Sequence, residues 1–362
     1  MLHHLTALAD ARVLITGGAG FIGSALTRQA RALGAHVTVL DDLSGYDTDT
    51  YTALGHTRAA PGMIVGDISD RPLIERLTRG NDFVIHAAAY STVAGCVRDP
   101  DAAFAANIGG THELLRAAAG ASSVQRLAFI SSAQVYGHGV AGPDEVQIFT
   151  EEQPLSTLNP YASAKLWGET HTRHLLEAAG VDYAIVRPFS VYGERQVPKP
   201  GAWSWVVAQF CMYASLGQEL PLNNSGRQIR DFVHVDDAAH AILASLTAPQ
   251  ASGVTFNLGS GQPTSVRHIA ELVRDHLPAT RFQAAPRPAG DPFGGRADIA
   301  RMVSVLGWQP SITVEAGVAR YLTWLHANPE AIPSWLPDEH NRVAAWEHPA
   351  SAEPALTDSR PT

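Results

Sequence analysis

Tyr161 and Lys165 stand four residues apart in the run NPYASAK, residues 159–165. On a helix that spacing projects both side chains from one face. An ammonium beside a phenol favours the phenolate, so a group with an ordinary pKa of about 10 becomes a candidate base near neutrality. A solvated tyrosine–lysine pair has the same spacing. What separates the two readings is position, because the run lies downstream of a nucleotide-binding start and a serine turn.

That start is RVLITGGAGFIGSAL, residues 12–26. Arg12 to Thr16 read as a short buried strand, and Gly17, Gly20 and Gly23 follow at three-residue intervals before a helix running to about Leu33. Gly17 suits a tight turn, Gly20 lets backbone amides approach a pyrophosphate at the helix N-terminus, and Gly23 lets helix and strand pack closely. A second strand, HVTVLDD, ends in Asp41. A carboxylate there can accept both ribose hydroxyls of adenosine and would repel a 2′-phosphate, which favours NAD over NADP.

Apolar strand-like runs alternate with helical ones through the first half: RVLIT, HVTVLDD, GMIVGDI, FVIHAAA, RLAFISS and YAIVRPF, with helices expected near 20–33, 70–79, 101–119 and 160–179. This alternation predicts an α/β fold with a doubly wound parallel sheet. Pro160 suits a first helical turn, with Asn159 as its cap. Beyond Pro188 come a Pro/Gly-rich loop, a helix near 204–216, the strand–helix run VHVDDAAHAILASL and a strand at 254–258. Helices follow near 264–277 and 313–326. The last residues, from about Pro333, are rich in Pro, Ser, Ala and acid, and are expected to be disordered.

With 362 residues the chain is long enough for one large domain or two intimate ones. A net charge of −9 without basic runs argues against a nucleic-acid surface. Cys96 and Cys211 lie outside any metal spacing and read as buried apolar side chains. No signal peptide is visible, and no apolar stretch reaches membrane-spanning length, so a cytosolic protein is expected.

Together these motifs, in this order over roughly residues 11–326, resemble the extended short-chain dehydrogenase/reductase family, in its nucleotide-sugar epimerase/dehydratase branch. The resemblance implies a Rossmann-like NAD-binding domain over 1–187, with 231–262 returning to it. A smaller C-terminal α/β substrate-binding domain would cover 188–230 and 263–330, with a flexible tail at 331–362. It implies coenzyme contacts from Gly17, Gly20, Phe21, Ile22, Gly23 and Asp41, and from Tyr161 and Lys165. Asp67 and Ile68 would flank the adenine, Ala87, Ala88 and Ala89 would lie beside the cofactor, and Asn107 would follow from the next helix. Asp67 could equally be a turn residue and Asn107 an ordinary helix polar residue; His86 reads as packed below the cofactor. In FISSAQVYG (129–137) the reactive hydroxyl falls on Ser132, which would hydrogen-bond the sugar oxygen while Tyr161, supported by Lys165, removes its proton. Pro188 would lie near the nicotinamide, and Ser190, Arg230 and Arg287 would hold the nucleotide diphosphate sugar, the arginines by their planar forks. Asp236 and Asp237 read as helix-capping residues.

Departures from the family pattern narrow the reaction. Where 4,6-dehydratases carry an acid pair after the reactive hydroxyl, this chain has Ala133 and Gln134. Gln134 also replaces the glutamate of sugar-acid decarboxylases. Epimerases acting at C4 need neither acid, so an NAD-dependent C4 epimerase is expected, with a dehydratase or keto-sugar reductase of the same branch as the alternative and a non-catalytic NAD-binding protein as a third reading. Ser190, where several epimerases have asparagine, and Trp203 with Trp205, which could stack on the ligand or belong to the core, hint at a sugar other than plain glucose or galactose. The family also suggests a homodimer joined through the helices near 101–119 and 160–179.

Overall fold

Short apolar strands separated by amphipathic helices leave the first half few solutions besides a parallel sheet covered on both faces. The computed structural model describes residues 3–141, 145–200, 205–285 and 293–338. Seven parallel strands form its main sheet in the order Val254–Leu258, Asp182–Pro188, Arg126–Ile130, Phe83–His86, Arg12–Thr16, His36–Asp41 and Met63–Val65. The chain winds outward from Arg12–Thr16 through His36–Asp41 to Met63–Val65, then returns to the other flank of the first strand at Phe83–His86. The winding direction therefore reverses between Arg12–Thr16 and Phe83–His86, whose residues Thr16 and His86 are register partners. Such a reversal opens a crevice at the carboxyl ends of the strands.

Alternation along the strands sorts the core into two faces. Val13 and Ile15 pack with helices Phe21–Ala32 and Val235–Thr247, whereas Leu14 packs with Arg71–Arg79 and Thr111–Ala119. The strand Val254–Leu258 thus belongs to the first-half sheet although it comes late in the chain. Its outer edge is covered by side chains: the Asn257 amide donates to Glu151 Oε1 at 2.7 Å and Arg301 donates to the Thr255 carbonyl at 3.1 Å.

Helix Pro160–Ala179 starts as its residues dictate. Asn159 Oδ1 accepts the Ala162 amide at 2.9 Å, Pro160 occupies the first turn, and Gly180 closes the helix at φ 69°. The helix expected over 101–119 is less regular. It runs as Pro100–Phe104, a wide π-turn at Ala105–Gly110, then Thr111–Ala119. Short helices Thr48–Ala53 and Val93–Arg98 were not expected; each is started by a capping side chain, Asp47 or Thr92, rather than by an apolar period.

The second half gathers helices Val206–Ser215, Val266–His276 and Val314–Ala327 around their own core, including Tyr192, Phe210, Phe232, Val273 and Tyr321. One expectation needs correction here. Residues 331–338 are not a flexible tail: Leu336 is fully buried in this core, Ile332 and Trp335 pack against it, and Gln218 donates to the Pro337 carbonyl. Trp205 packs against the same core and starts Val206–Ser215 with φ 76°. Apolar residues inside a proline-rich terminus account for the packed residues 331–338. Leu54 and Tyr46 from the first half also join this core, so the segment after Asp41 braces the two halves. No helix among the described residues is long and apolar enough to cross a membrane.

Candidate active site

The loop after Arg12–Thr16 lies in the crevice, and its glycines are there for space. A Cβ on Gly17 would stand 2.6 Å from the Ala88 amide nitrogen, and Gly17 has φ 72°. A Cβ on Gly23 would meet the Gly17 carbonyl oxygen at 2.0 Å. Substitution at either position collapses a cradle of backbone amides that opens onto the N-terminus of Phe21–Ala32. Phe21 and Ile22 form that helix's first turn and pack on the sheet core. Asp41 terminates the second strand with both oxygens engaged: Oδ2 accepts the Ala19 amide at 3.0 Å and Oδ1 the Leu43 amide at 2.9 Å. Burial pushes its carboxyl up while those two amides pull it down. A cradle that only glycine permits, with a fixed carboxylate at the next strand end, fits the pyrophosphate and adenosine ribose of NAD.

The segment after Phe83–His86 lines the other wall. Ala87, Ala88 and Ala89 are half-buried beside the glycine loop. His86 lies beneath them, bonded to Thr16 Oγ1 at 2.9 Å and Thr111 Oγ1 at 2.8 Å, and burial pushes it down to about 3, so it stays neutral. Asn107 projects from the π-turn and clamps Tyr90 through both backbone groups, Oδ1 accepting the amide at 2.7 Å and Nδ2 donating to the carbonyl at 3.2 Å. Its reach toward a cofactor therefore runs through the 87–91 backbone. Asp67 binds the amide and hydroxyl of Ser69, each at 2.7 Å, in a turn that precedes Arg71–Arg79. Ile68 is buried under the π-turn against Gly110.

At the centre of the sheet, Ser132, Tyr161 and Lys165 come together. Ser132 Oγ accepts the Gln134 amide at 3.1 Å and lies close enough to the Tyr161 phenol to pull its pKa down. Lys165 donates to the Ile130 carbonyl at 2.7 Å and lies 5.8 Å from the centroid of the Tyr161 ring. Without a ligand the site favours the neutral phenol. Burial pushes Tyr161 up to about 12 against the pull of Ser132, and pushes Lys165 down to about 8. Desolvation dominates in a site this enclosed, and a further positive charge bound beside the phenol would pull its pKa down. Cys96 is buried beside this group, its thiol donating to the Tyr90 carbonyl at 3.3 Å.

Behind the reactive side chains lies a buried network that the residue pattern alone did not single out. Glu169 accepts the Ser131 hydroxyl at 2.6 Å and two bonds from Arg187, at 2.8 and 2.7 Å. Arg187 also donates to the Tyr136 hydroxyl at 2.8 Å, which in turn donates to Asn257 Oδ1 at 2.6 Å. Continuing the four-residue step from Tyr161 and Lys165 reaches Glu169 and would have revealed it.

On the substrate side, Pro188 ends its strand buried, and Ser190 opens the strand Ser190–Tyr192, paired with Phe232–His234. Arg230 is half-buried and donates to the carbonyls of Ile229 at 2.8 Å and Phe293 at 3.4 Å. Arg287 and Trp203 lie outside the described residues. The capping role expected of Asp236 and Asp237 falls to His234, whose Nδ1 accepts the Asp236 amide at 3.1 Å. Asp236 pairs instead with Arg28 and Arg320, and Asp237 accepts the amides of Ser311 and Ile312, because both carboxylates face neighbouring segments rather than the helix end.

Known proteins resemble this chain. The UDP-glucose 4-epimerase of Mycolicibacterium smegmatis is 33% identical over 312 residues, spanning 85% of this chain and 96% of its own. A dTDP-glucose 4,6-dehydratase of an Actinoplanes species is 29% identical over 328 residues, spanning 88% and 98%. The crystal structure of a Thermotoga maritima UDP-glucose 4-epimerase with UDP-glucose superposes with a TM-score of 0.78 at 28% identity, over 88% of this chain and 99% of the other. Residues 13–259 match the model of one family, and the chain belongs to it: the NAD dependent epimerase/dehydratase family.

Proposed function

We propose that the protein interconverts C4 epimers of a nucleotide diphosphate sugar through a transient 4-keto sugar. The observation that carries this reading is what stands beside the reactive hydroxyl. Ala133 and Gln134 follow Ser132, and Gln134 is exposed and accepts from Asn159 at 3.4 Å, so neither position can protonate a leaving hydroxyl. The nearest carboxylate on the helix face of Tyr161 and Lys165 is Glu169, and it is already engaged by Arg187 and Ser131. NAD, when bound, supplies the hydride acceptor and later the donor. Tyr161 takes the proton of the C4 hydroxyl, Ser132 orients that oxygen, and Lys165 fixes charge beside the phenol. Ser190, Arg230 and Arg287 are assigned to the diphosphate end, with Gly17, Gly20, Gly23 and Asp41 holding the cofactor.

Resemblance to a 4,6-dehydratase keeps dehydration as the second reading. Incubation with UDP- and dTDP-hexoses, followed by mass spectrometry and NMR, separates the two. Epimerisation leaves the mass unchanged and turns over without added reductant; a product lighter by one water would overturn the epimerase assignment.

We also assign a homodimer to the face made by Val93–Arg98, Pro100–Phe104 and Pro160–Ala179. Phe104 and Val97 are 62% and 61% exposed there, large apolar side chains that a second copy would cover. Light scattering is expected to give twice the chain mass, and Phe104→Glu to reduce it to the monomer. A monomer mass for the unaltered protein at all concentrations would end the assignment.

A further inference from the structure

Lys199 is a cation that the reaction outlined above does not use. It belongs to the second half, just past the strand Ser190–Tyr192, yet its ammonium lies against the first. Nζ donates to Ser91 Oγ at 3.2 Å and sits 4.9 Å from the centroid of the Tyr46 ring. A Cβ placed on Gly45 would be 3.2 Å from the same nitrogen. Gly45 and Tyr46 follow the strand His36–Asp41, and Ser91 follows Phe83–His86. In the sheet those two strands flank Arg12–Thr16, the strand that feeds the glycine loop. A side chain that touches both of these segments stands at the carboxyl ends of the strands on either side of that loop.

Charge makes this placement purposeful. The segments 17–27, 42–57 and 87–97, which follow those three strands, contain no lysine or arginine, while the middle one contributes Asp42, Asp47 and Asp49 beside Asp41. A dinucleotide's pyrophosphate dianion would meet backbone amides in the loop, and acid around it. Lys165 and Lys199 are moreover the only two lysines in the chain. Every other basic side chain of fixed charge is an arginine, so the compact ammonium is kept at two places, and both are in this cleft. The backbone that delivers Lys199 is pinned: Tyr46 donates to the Val197 carbonyl at 3.1 Å and Arg195 to that of Leu54 at 2.7 Å. Burial pushes the ammonium down while Asp41 and Asp42 pull it up.

We infer that Lys199 is a cofactor-binding residue, a strap from the substrate half that grips the pyrophosphate of NAD and makes its retention depend on the docking of the two halves. The inference rests on the cofactor reading of the glycine loop, and its test uses no sugar, so the outcome is independent of which sugar reacts. Lys199→Met keeps the length of the side chain and removes the charge. Protein loaded with NAD and passed through gel filtration is expected to lose the nucleotide roughly ten- to a hundredfold faster in this variant, the range for a lost hydrogen bond to a charged group. Lys199→Arg is expected to recover most of the retention, which separates lost charge from lost folding. Titration of stripped protein with ADP and with adenosine locates the contact: Lys199→Met should weaken ADP by the same factor and adenosine less than about twofold. Equal weakening of both ligands, or NAD loss at the unaltered rate, would overturn the assignment.

Discussion

Tyr161→Phe is expected to lower turnover by about two to four orders of magnitude while leaving NAD binding intact. The reason is the division of labour in the crevice. The cofactor cradle is built from the Gly17–Gly23 loop and Asp41, none of which bonds to the Tyr161 phenol. That phenol stands beside Ser132 and Lys165, at the carboxyl end of the central strand Arg126–Ile130. Removing one oxygen therefore removes the proton acceptor and little else. Burial holds the phenol at about 12 without a cofactor, so the rate should also rise with pH up to the point where a bound positive ring and Lys165 have drawn the proton off. Lys165, held near 8 by burial, loses its ammonium as pH rises further, and the profile should fall again. Turnover by Tyr161→Phe within about tenfold of the unaltered enzyme would eliminate Tyr161 as the base.

Much of this site was legible because its parts are local. A glycine triplet between strand and helix, an acid at the next strand end, and a tyrosine and lysine one helical turn apart are each written within a few residues. The parallel, doubly wound sheet followed from the same alternation, and the strand Val254–Leu258 announced itself as a short apolar run. What escaped was non-local. Nothing near Glu169 in the chain names Arg187, eighteen residues on, or Asn257 beyond it, because their pairing depends on which strands become neighbours. The π-turn at Ala105–Gly110 hid inside an alanine-rich helical pattern, and no period distinguishes six residues of wider pitch from an α-helix. Lys199 was invisible for the same reason as Arg187: its partners, Ser91 and Tyr46, lie more than a hundred residues earlier. The buried end at 331–338 was misread because composition outweighed its two apolar anchors, Trp335 and Leu336.

Arg187→Met is expected to destabilise the fold by about 3–5 kcal/mol, the largest effect of any single substitution away from the reactive atoms. Glu169 is completely buried and Arg187 is 3% exposed, and the carboxylate takes two of the guanidinium's hydrogen bonds. Methionine fills the space but leaves a buried carboxylate with only Ser131 and the longer contact to Arg173 at 3.4 Å. Glu169→Met strands the guanidinium in turn and is expected to cost a similar amount. The double variant replaces both charges by apolar volume. It should be clearly more stable than the sum of the single effects, with a coupling of several kcal/mol in a urea-denaturation cycle. The network also has a functional edge. Glu169 continues the face of Tyr161 and Lys165, and Ser131 is joined to Ser132, so the pair sets the spacing between phenol and hydroxyl that proton transfer needs. In the double variant a folded protein with reduced turnover and unchanged NAD binding is therefore expected. Stability of Arg187→Met within about 1 kcal/mol of the unaltered protein would mean that water reaches Glu169, and the pair would then be neither a brace for the fold nor a support for the site.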